Sequence, residues 1–187
     1  MLRKEMTKTE IEKEISGKGD YVKIDYLTRF LKEDIPFDTK KFVFLKLAEI
    51  YEKVNMFRDA AKCYESLAVI SLTFKEKINY FMKEAELYVR AADFDEAEKA
   101  MKKAAGEANS IQKTEIYNNL KELYKVHAEL FEKNQRRIHA VKAYEKLLSM
   151  KLSDAEKKEI TEKLLNLYEK LGKVREYSLL KSKSNTM

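Results

Sequence analysis

Three side chains in this sequence have the chemistry for nucleophilic or metal-binding roles: Cys63, His127 and His139. Neither histidine has a second ligand at a metal-binding spacing such as His-x-x-x-His, so we predict no metal site. A Cys–His nucleophile pair would have to join parts of the chain that are distant in sequence. The four glycines, at positions 17, 19, 106 and 172, form no phosphate-binding loop. We therefore expect no catalytic residue, no metal or other cofactor, and no enzymatic activity.

The elements that position these side chains are predicted to be almost entirely helical. The chain has only four glycines and one proline, and the helix-favouring residues Lys, Glu, Leu and Ala dominate it. A β-rich domain of this length would need more turn residues. The charged N-terminus lacks the apolar region of a signal peptide, and no apolar stretch reaches the roughly 18 residues of a membrane span. With a single cysteine, the sequence favours a soluble, cytoplasmic protein.

A pattern of small and aromatic residues repeats along the chain. In "AEIYEKVNMFRDAAKCYESL" (48–67), Ala60 is followed four residues later by Tyr64 and is preceded by Phe57 and Tyr51. Comparable residues surround positions 24, 97, 140 and 177, so the anchors are spaced by 36, 37, 43 and 37 residues. Such a period indicates a stacked array of helical hairpins. The small residues let the two helices of a hairpin approach closely, and the aromatic residues fill the space beside them.

Helix-start signals fix the positions of these hairpins. Three pairs have capping-box spacing: Thr7 with Glu10, Thr73 with Glu76, and Ser153 with Glu156. The sequence predicts ten helices, over about residues 7–16, 20–33, 38–54, 57–71, 74–92, 94–109, 112–133, 136–150, 154–171 and 174–182. They form five units in a single domain over residues 1–187: 7–34, 38–71, 74–109, 112–150 and 154–182. The short connections within each unit require antiparallel neighbours.

The units resemble tetratricopeptide repeats (TPRs). The resemblance is strongest in "AEIYEKVNMFRDAAKCY" (48–64) and "AELYVRAADFDEAEKAM" (85–101), and it covers about residues 7–181. Only the first and fifth units keep the turn glycine of the family, as Gly19 and Gly172. The resemblance implies an all-α, right-handed solenoid of about five antiparallel helix pairs. It also implies a scaffold or adaptor that binds a protein partner and carries out no reaction.

In this family the first helices of the units line a concave groove. Carried over to this sequence, the groove residues are Phe42, Leu45, Glu49, Glu52, Met82, Glu86, Val89, Arg90 and Glu129. Exposed apolar residues in an acidic groove would suit a basic or amphipathic peptide or helix. Alternatively, neighbouring helices bury the apolar residues, and each glutamate pairs with the basic residue four positions later in its own helix.

The second half of the chain suggests a different partner. Residues 101–187 carry 19 basic and 12 acidic residues, whereas residues 1–100 carry 19 and 20. A possible nucleic-acid patch lies on the second helices of the third and fourth units: Lys102, Lys103, Arg136, Arg137, Lys142 and Lys146. RNA binding there would be electrostatic and salt-sensitive. A third possibility is a homodimer through the last helix, with Leu179 and Leu180 at the contact.

Overall fold

Ten α-helices make up the part of the chain that the structure, a computed structural model, describes: residues 2–184. They are α1 (Lys8–Ile15), α2 (Asp20–Phe30), α3 (Phe37–Lys53), α4 (Phe57–Ile70), α5 (Phe74–Arg90), α6 (Phe94–Gly106), α7 (Ser110–Lys133), α8 (Arg137–Leu148), α9 (Asp154–Lys170) and α10 (Val174–Ser184). The described residues contain no β-strand. Every predicted helix is confirmed, and each end lies within three residues of its predicted position.

Side-chain caps explain where several first helices of the pairs begin. Reciprocal capping boxes form at Thr7 and Ser153, as predicted, while the Thr73 hydroxyl accepts a hydrogen bond from the amide of Glu76. A further capping box, which the prediction missed, joins Asn109 and Gln112. It starts α7 at Ser110 rather than residue 112, and the resulting 24-residue helix occupies much of the longest repeat.

The capping glutamates also tie consecutive helix pairs together. Glu76, in the first turn of α5, forms an ion pair with Lys41 of α3. Glu156, at the same position of α9, lies 2.9 Å from the ammonium of Lys121 on α7. The corresponding residue of α7 is the neutral Gln112, whose side chain accepts a hydrogen bond from the backbone amide of Asn109.

The turns inside four helix pairs share a left-handed residue. Asn55, Ala92, Gln135 and Gly172 occupy equivalent positions and have φ between 58° and 66°. The first pair differs, because Gly19 has φ −65° and the positive φ of 75° belongs to Gly17. The backbone therefore keeps the same turn in these four pairs even where glycine has been replaced.

Replacing Ala92 with glycine is expected to stabilise the protein by about 0.5–1 kcal/mol. An L-residue with a side chain pays about 1–2 kcal/mol for the left-handed conformation, and glycine's greater freedom in the unfolded chain offsets part of that gain. Urea denaturation measures the change. Ala91→Gly is the matched control, because Ala91 has φ −75° and should lose stability on the same substitution. Destabilisation of Ala92→Gly would contradict the expected strain.

Packing follows chain order. From α2 to α10 each helix contacts the next, most extensively α4 with α5 and α5 with α6, and α5 also touches α7. One core cluster draws on α1 to α4, and a second runs from α4 to α9. Six alanines at the predicted close approaches are 0% exposed: Ala48, Ala60, Ala85, Ala97, Ala128 and Ala140. The prediction that small residues lie where paired helices approach is therefore confirmed.

Candidate functional site

An open cleft separates the first helices of the third and fourth pairs. It has a volume of about 420 Å³. Met82, Leu123 and Val126 supply its apolar lining, and the carboxylates of Glu86 and Glu122 border it. The Val126 side chain is 57% exposed, so its apolar surface is open to solvent at the cleft. Because α5 and α7 supply the whole lining, a ligand here would contact two consecutive repeats.

The structure separates the predicted apolar groove residues. Met82 lies in the cleft between α5 and α7, whereas Phe42 and Leu45 are half-buried on α3. Phe42 packs against the core cluster of the first helices. The predicted exposure of Val89 is wrong, because this side chain is 0% exposed in a helix that α4, α6 and α7 all contact. The predicted groove is therefore not one continuous apolar surface.

The predicted charge stripe does not pair within helices at a spacing of four. Glu49 and Glu86 instead pair with the lysines three residues before them, Lys46 and Lys83. Glu129 pairs at 3.0 Å with Lys163 of the next first helix. Two of these contacts therefore lie within one helix, and only that of Glu129 depends on the register between neighbouring helices.

Glu52 joins α3 to α5 through several contacts. Its carboxylate lies 3.0 Å from the guanidinium of Arg90 and 3.8 Å from the ammonium of Lys83, and it accepts a hydrogen bond from the Tyr64 hydroxyl. The Arg90 guanidinium also lies 4.2 Å from the ring centre of Phe57. Glu52 and Arg90 thus hold two repeats together, so a partner would have to compete with internal contacts to bind them.

A family model described as tetratricopeptide repeat matches residues 43–77, which include most of α3, all of α4 and the start of α5. This part of the chain is similar to a tetratricopeptide repeat, and the ten-helix array around it is consistent with a TPR-like protein. Repeats of this family generally mediate protein–protein interactions. No curated protein matches the chain. Among the helices in residues 2–184, none is both long enough and apolar enough to cross a membrane.

The groove position that the TPR family predicts on α7 lies one residue before an apolar residue of this helix. It selects Glu129, whereas Leu123 lines the cleft and the apolar side chains of Val126 and Leu130 are exposed. These three residues follow one another at helical spacings of three and four. That spacing was the signal that could have identified the face from sequence.

His127 follows the cleft-lining Val126 on α7 and lies within electrostatic reach of Arg90 and Glu86 on α5. Burial lowers the pKa of its imidazole, and the charge of Arg90 lowers it further, while Glu86 acts in the opposite direction. The Nδ1 atom is buried and has no hydrogen-bond partner within the described chain. Its ring centre lies 6.1 Å from that of Phe131, one turn later on the same helix.

The six residues of the predicted nucleic-acid patch have unequal surroundings. Lys103 binds Glu65 and Glu84, and Lys146 lies 2.9–3.0 Å from Asp95 and Glu98. The Arg136 guanidinium stacks 4.8 Å from the Phe131 ring centre, and Arg137 donates a hydrogen bond to Gln135. Lys102 and Lys142 are exposed. Two of the six charges are therefore already neutralised by carboxylates of the protein.

Proposed function

We propose that this TPR-like array is a non-enzymatic adaptor that binds a basic, amphipathic helix or peptide of a partner protein in the cleft between α5 and α7. The exposed Val126, next to Met82 and Leu123, is the observation that carries the proposal. An amphipathic ligand would bury these side chains and so gain hydrophobic stabilisation. The role rests on the site rather than on the fold, which serves many binding partners.

The charges around the cleft support a basic ligand. Glu122 is exposed and forms no ion pair with another described residue, while Glu86 shares Lys83 with Glu52. The border therefore has more carboxylate than ammonium charge. The amides of Asn79 and Asn119 also line the cleft and can donate to, or accept from, a ligand backbone.

Nucleic-acid binding at the basic patch has less support. Phosphate would have to displace Glu65 and Glu84 from Lys103, and Asp95 and Glu98 from Lys146. Binding of an RNA oligonucleotide that weakens in Lys102→Glu and Lys142→Glu, and falls steeply with salt, would favour this alternative instead.

Val126→Lys is expected to weaken binding of a basic amphipathic peptide about tenfold, because it removes an apolar contact and places a like charge in the cleft. The probe is a fluorescein-labelled helical peptide with leucine on one face and lysine on the other. Fluorescence anisotropy measures its Kd, and circular dichroism checks that helicity is unchanged.

Ile138→Lys on α8 is the matched control. Ile138 is 59% exposed, close to the 57% of Val126, but it lies outside the cleft. Its substitution should leave the Kd unchanged. Equal weakening by both substitutions, or none by either, would contradict the cleft assignment. Equal binding of a leucine–glutamate peptide would contradict the expected preference for a basic partner.

A further inference from the structure

One position in the core holds an aromatic residue in three helix pairs but a threonine in the fifth. In the first helices of the second to fifth pairs, the residue four positions before Ala48, Ala85, Ala128 and Leu165 is, respectively, Phe44, Phe81, Tyr124 and Thr161. Tyr124 is 1% exposed and Phe81 is 8% exposed, so in the third and fourth pairs an aromatic ring fills this space. Threonine is much smaller than either ring. The fifth pair therefore has less side-chain volume at this position.

A cleft of about 760 Å³ opens around Thr161, between the end of α8, α9 and α10. Leu148, Leu165 and Leu180 form its apolar surface. Leu165 stands where the three preceding pairs have alanine, yet it remains partly exposed and lines the cleft. Thr161 is 9% exposed, so its side chain lies at the base of the cleft.

The border of this cleft carries more positive than negative charge. Lys157, Lys158 and Lys183 line it, together with Asp154 and Glu162. Within the described residues, Lys157 and Lys158 form no ion pair. Asp154 is the first residue of α9, where its carboxylate favourably faces the positive end of the helix dipole. The two lysines of α9 are therefore available to carboxylates of a ligand.

We propose that this cleft is a second docking site, which takes an aromatic side chain from a partner peptide that is acidic on either side of it. The aromatic ring occupies the space that Phe81 and Tyr124 fill in their own pairs. The flanking carboxylates pair with Lys157 and Lys158. The site lies on α8, α9 and α10, so it is separate from the cleft between α5 and α7, and it prefers the opposite ligand charge.

The test uses the full chain and a fluorescein-labelled peptide with a central phenylalanine between glutamates, followed by fluorescence anisotropy. We expect saturable binding to the wild type. Binding should weaken about tenfold when alanine replaces the phenylalanine, and similarly when lysines replace the glutamates. Val126→Lys should leave this Kd unchanged, which distinguishes this site from the cleft between α5 and α7. Failure of the wild type to bind the peptide would overturn the proposal.

Thr161→Phe gives the decisive comparison. A ring from the protein itself should fill the cleft, raise the urea midpoint of unfolding and weaken peptide binding at least about tenfold. Unchanged binding in a folded Thr161→Phe variant would overturn the proposal. Loss of a wild-type dimer in this variant, seen by analytical ultracentrifugation, would assign the cleft to a second copy of the chain and overturn it equally.

Lys157→Glu with Lys158→Glu tests the same site without altering the core, in case Thr161→Phe does not fold. This double variant should bind the acidic peptide about tenfold more weakly. The matched control is Lys102→Glu with Lys142→Glu, which makes the same charge change at exposed lysines on α6 and α8. Equal weakening in both double variants would show a general charge effect and overturn the docking site.

Discussion

Lys103→Met is expected to destabilise the protein by about 1.5 kcal/mol at pH 8, because it leaves the buried carboxylate of Glu84 without its counter-ion, and protonation of Glu84 then limits the loss. Glu84 is 2% exposed, and its Oε1 atom lies 3.2 Å from the Lys103 ammonium. Its other oxygen is buried without a hydrogen-bond partner within the described chain. Methionine retains most of the apolar stem of Lys103 but removes its ammonium, which also lies 5.6 Å from the ring centre of Phe81 and pairs with Glu65.

The loss should be smaller at pH 5. Burial raises the pKa of Glu84 from 4.5 to about 7, although Lys103 acts in the opposite direction. A carboxyl group whose pKa is raised on folding contributes stability that is complete below about pH 4.5 and disappears as the pH passes through about 7. Without Lys103 the pKa should rise further. The protonated form then limits the cost in acid, and urea denaturation at both pH values measures the difference.

Two further variants separate charge burial from lost packing. Adding Glu84→Gln to Lys103→Met removes the buried charge and should restore most of the stability at pH 8. Lys102→Met changes the neighbouring exposed lysine and should alter the free energy of unfolding by less than about 0.5 kcal/mol. A loss in Lys103→Met that is the same at pH 5 and pH 8 would contradict the role assigned to Glu84.

Tyr124→Ala is expected to cost about 3–5 kcal/mol, the usual range for deleting a large buried ring. Tyr124 is 1% exposed on α7, and its ring meets that of Phe94 edge to face at 5.7 Å. The substitution would leave a cavity at the junction of the third and fourth helix pairs. Chemical denaturation measures the loss, and the unfolding transition should move to lower urea.

Tyr124→Phe serves as the control for the hydroxyl group. The Tyr124 hydroxyl donates a long hydrogen bond of 3.4 Å to the carbonyl of Phe94. Its removal should cost less than about 1 kcal/mol, because the ring and its packing remain. A similar loss from both substitutions would mean that the hydrogen bond, rather than the ring, stabilises this junction.

Local sequence signals were enough to predict the ten helices. The repeated positions of Ala60, Ala97 and Ala140 fixed the second helices, and Thr7 and Ser153 marked the starts of two first helices. These signals act within a few residues, so they do not depend on how the array curves. The start of α7 was misplaced because the Asn109–Gln112 capping box was overlooked, although it too was present in the sequence.

The binding surfaces were harder to predict, since they depend on the rotation of each helix relative to its neighbours. For Val89 the alternative interpretation, burial by neighbouring helices, is the correct one, but the sequence alone did not decide between burial and exposure. Glu129 likewise pairs with Lys163, which is 34 residues away, rather than with its near neighbour in the helix. The change from aromatic residues to Thr161 was visible in the sequence. However, the cleft beside Thr161 also depends on where α10 packs, which the sequence did not predict.

The ion pairs between consecutive first helices are not the same along the array, so salt should affect its parts differently. Glu76–Lys41 and Glu156–Lys121 resist separation of α5 from α3 and of α9 from α7, respectively, whereas the neutral Gln112 supplies no such charge between α5 and α7. The gap between α5 and α7 is held instead by direct packing of these two helices, which is closer than that of α3 with α5 or of α7 with α9. High salt screens exposed ion pairs but leaves apolar packing intact. We therefore expect salt to loosen α5 from α3 and α9 from α7 before it changes the gap between Met82 and Val126.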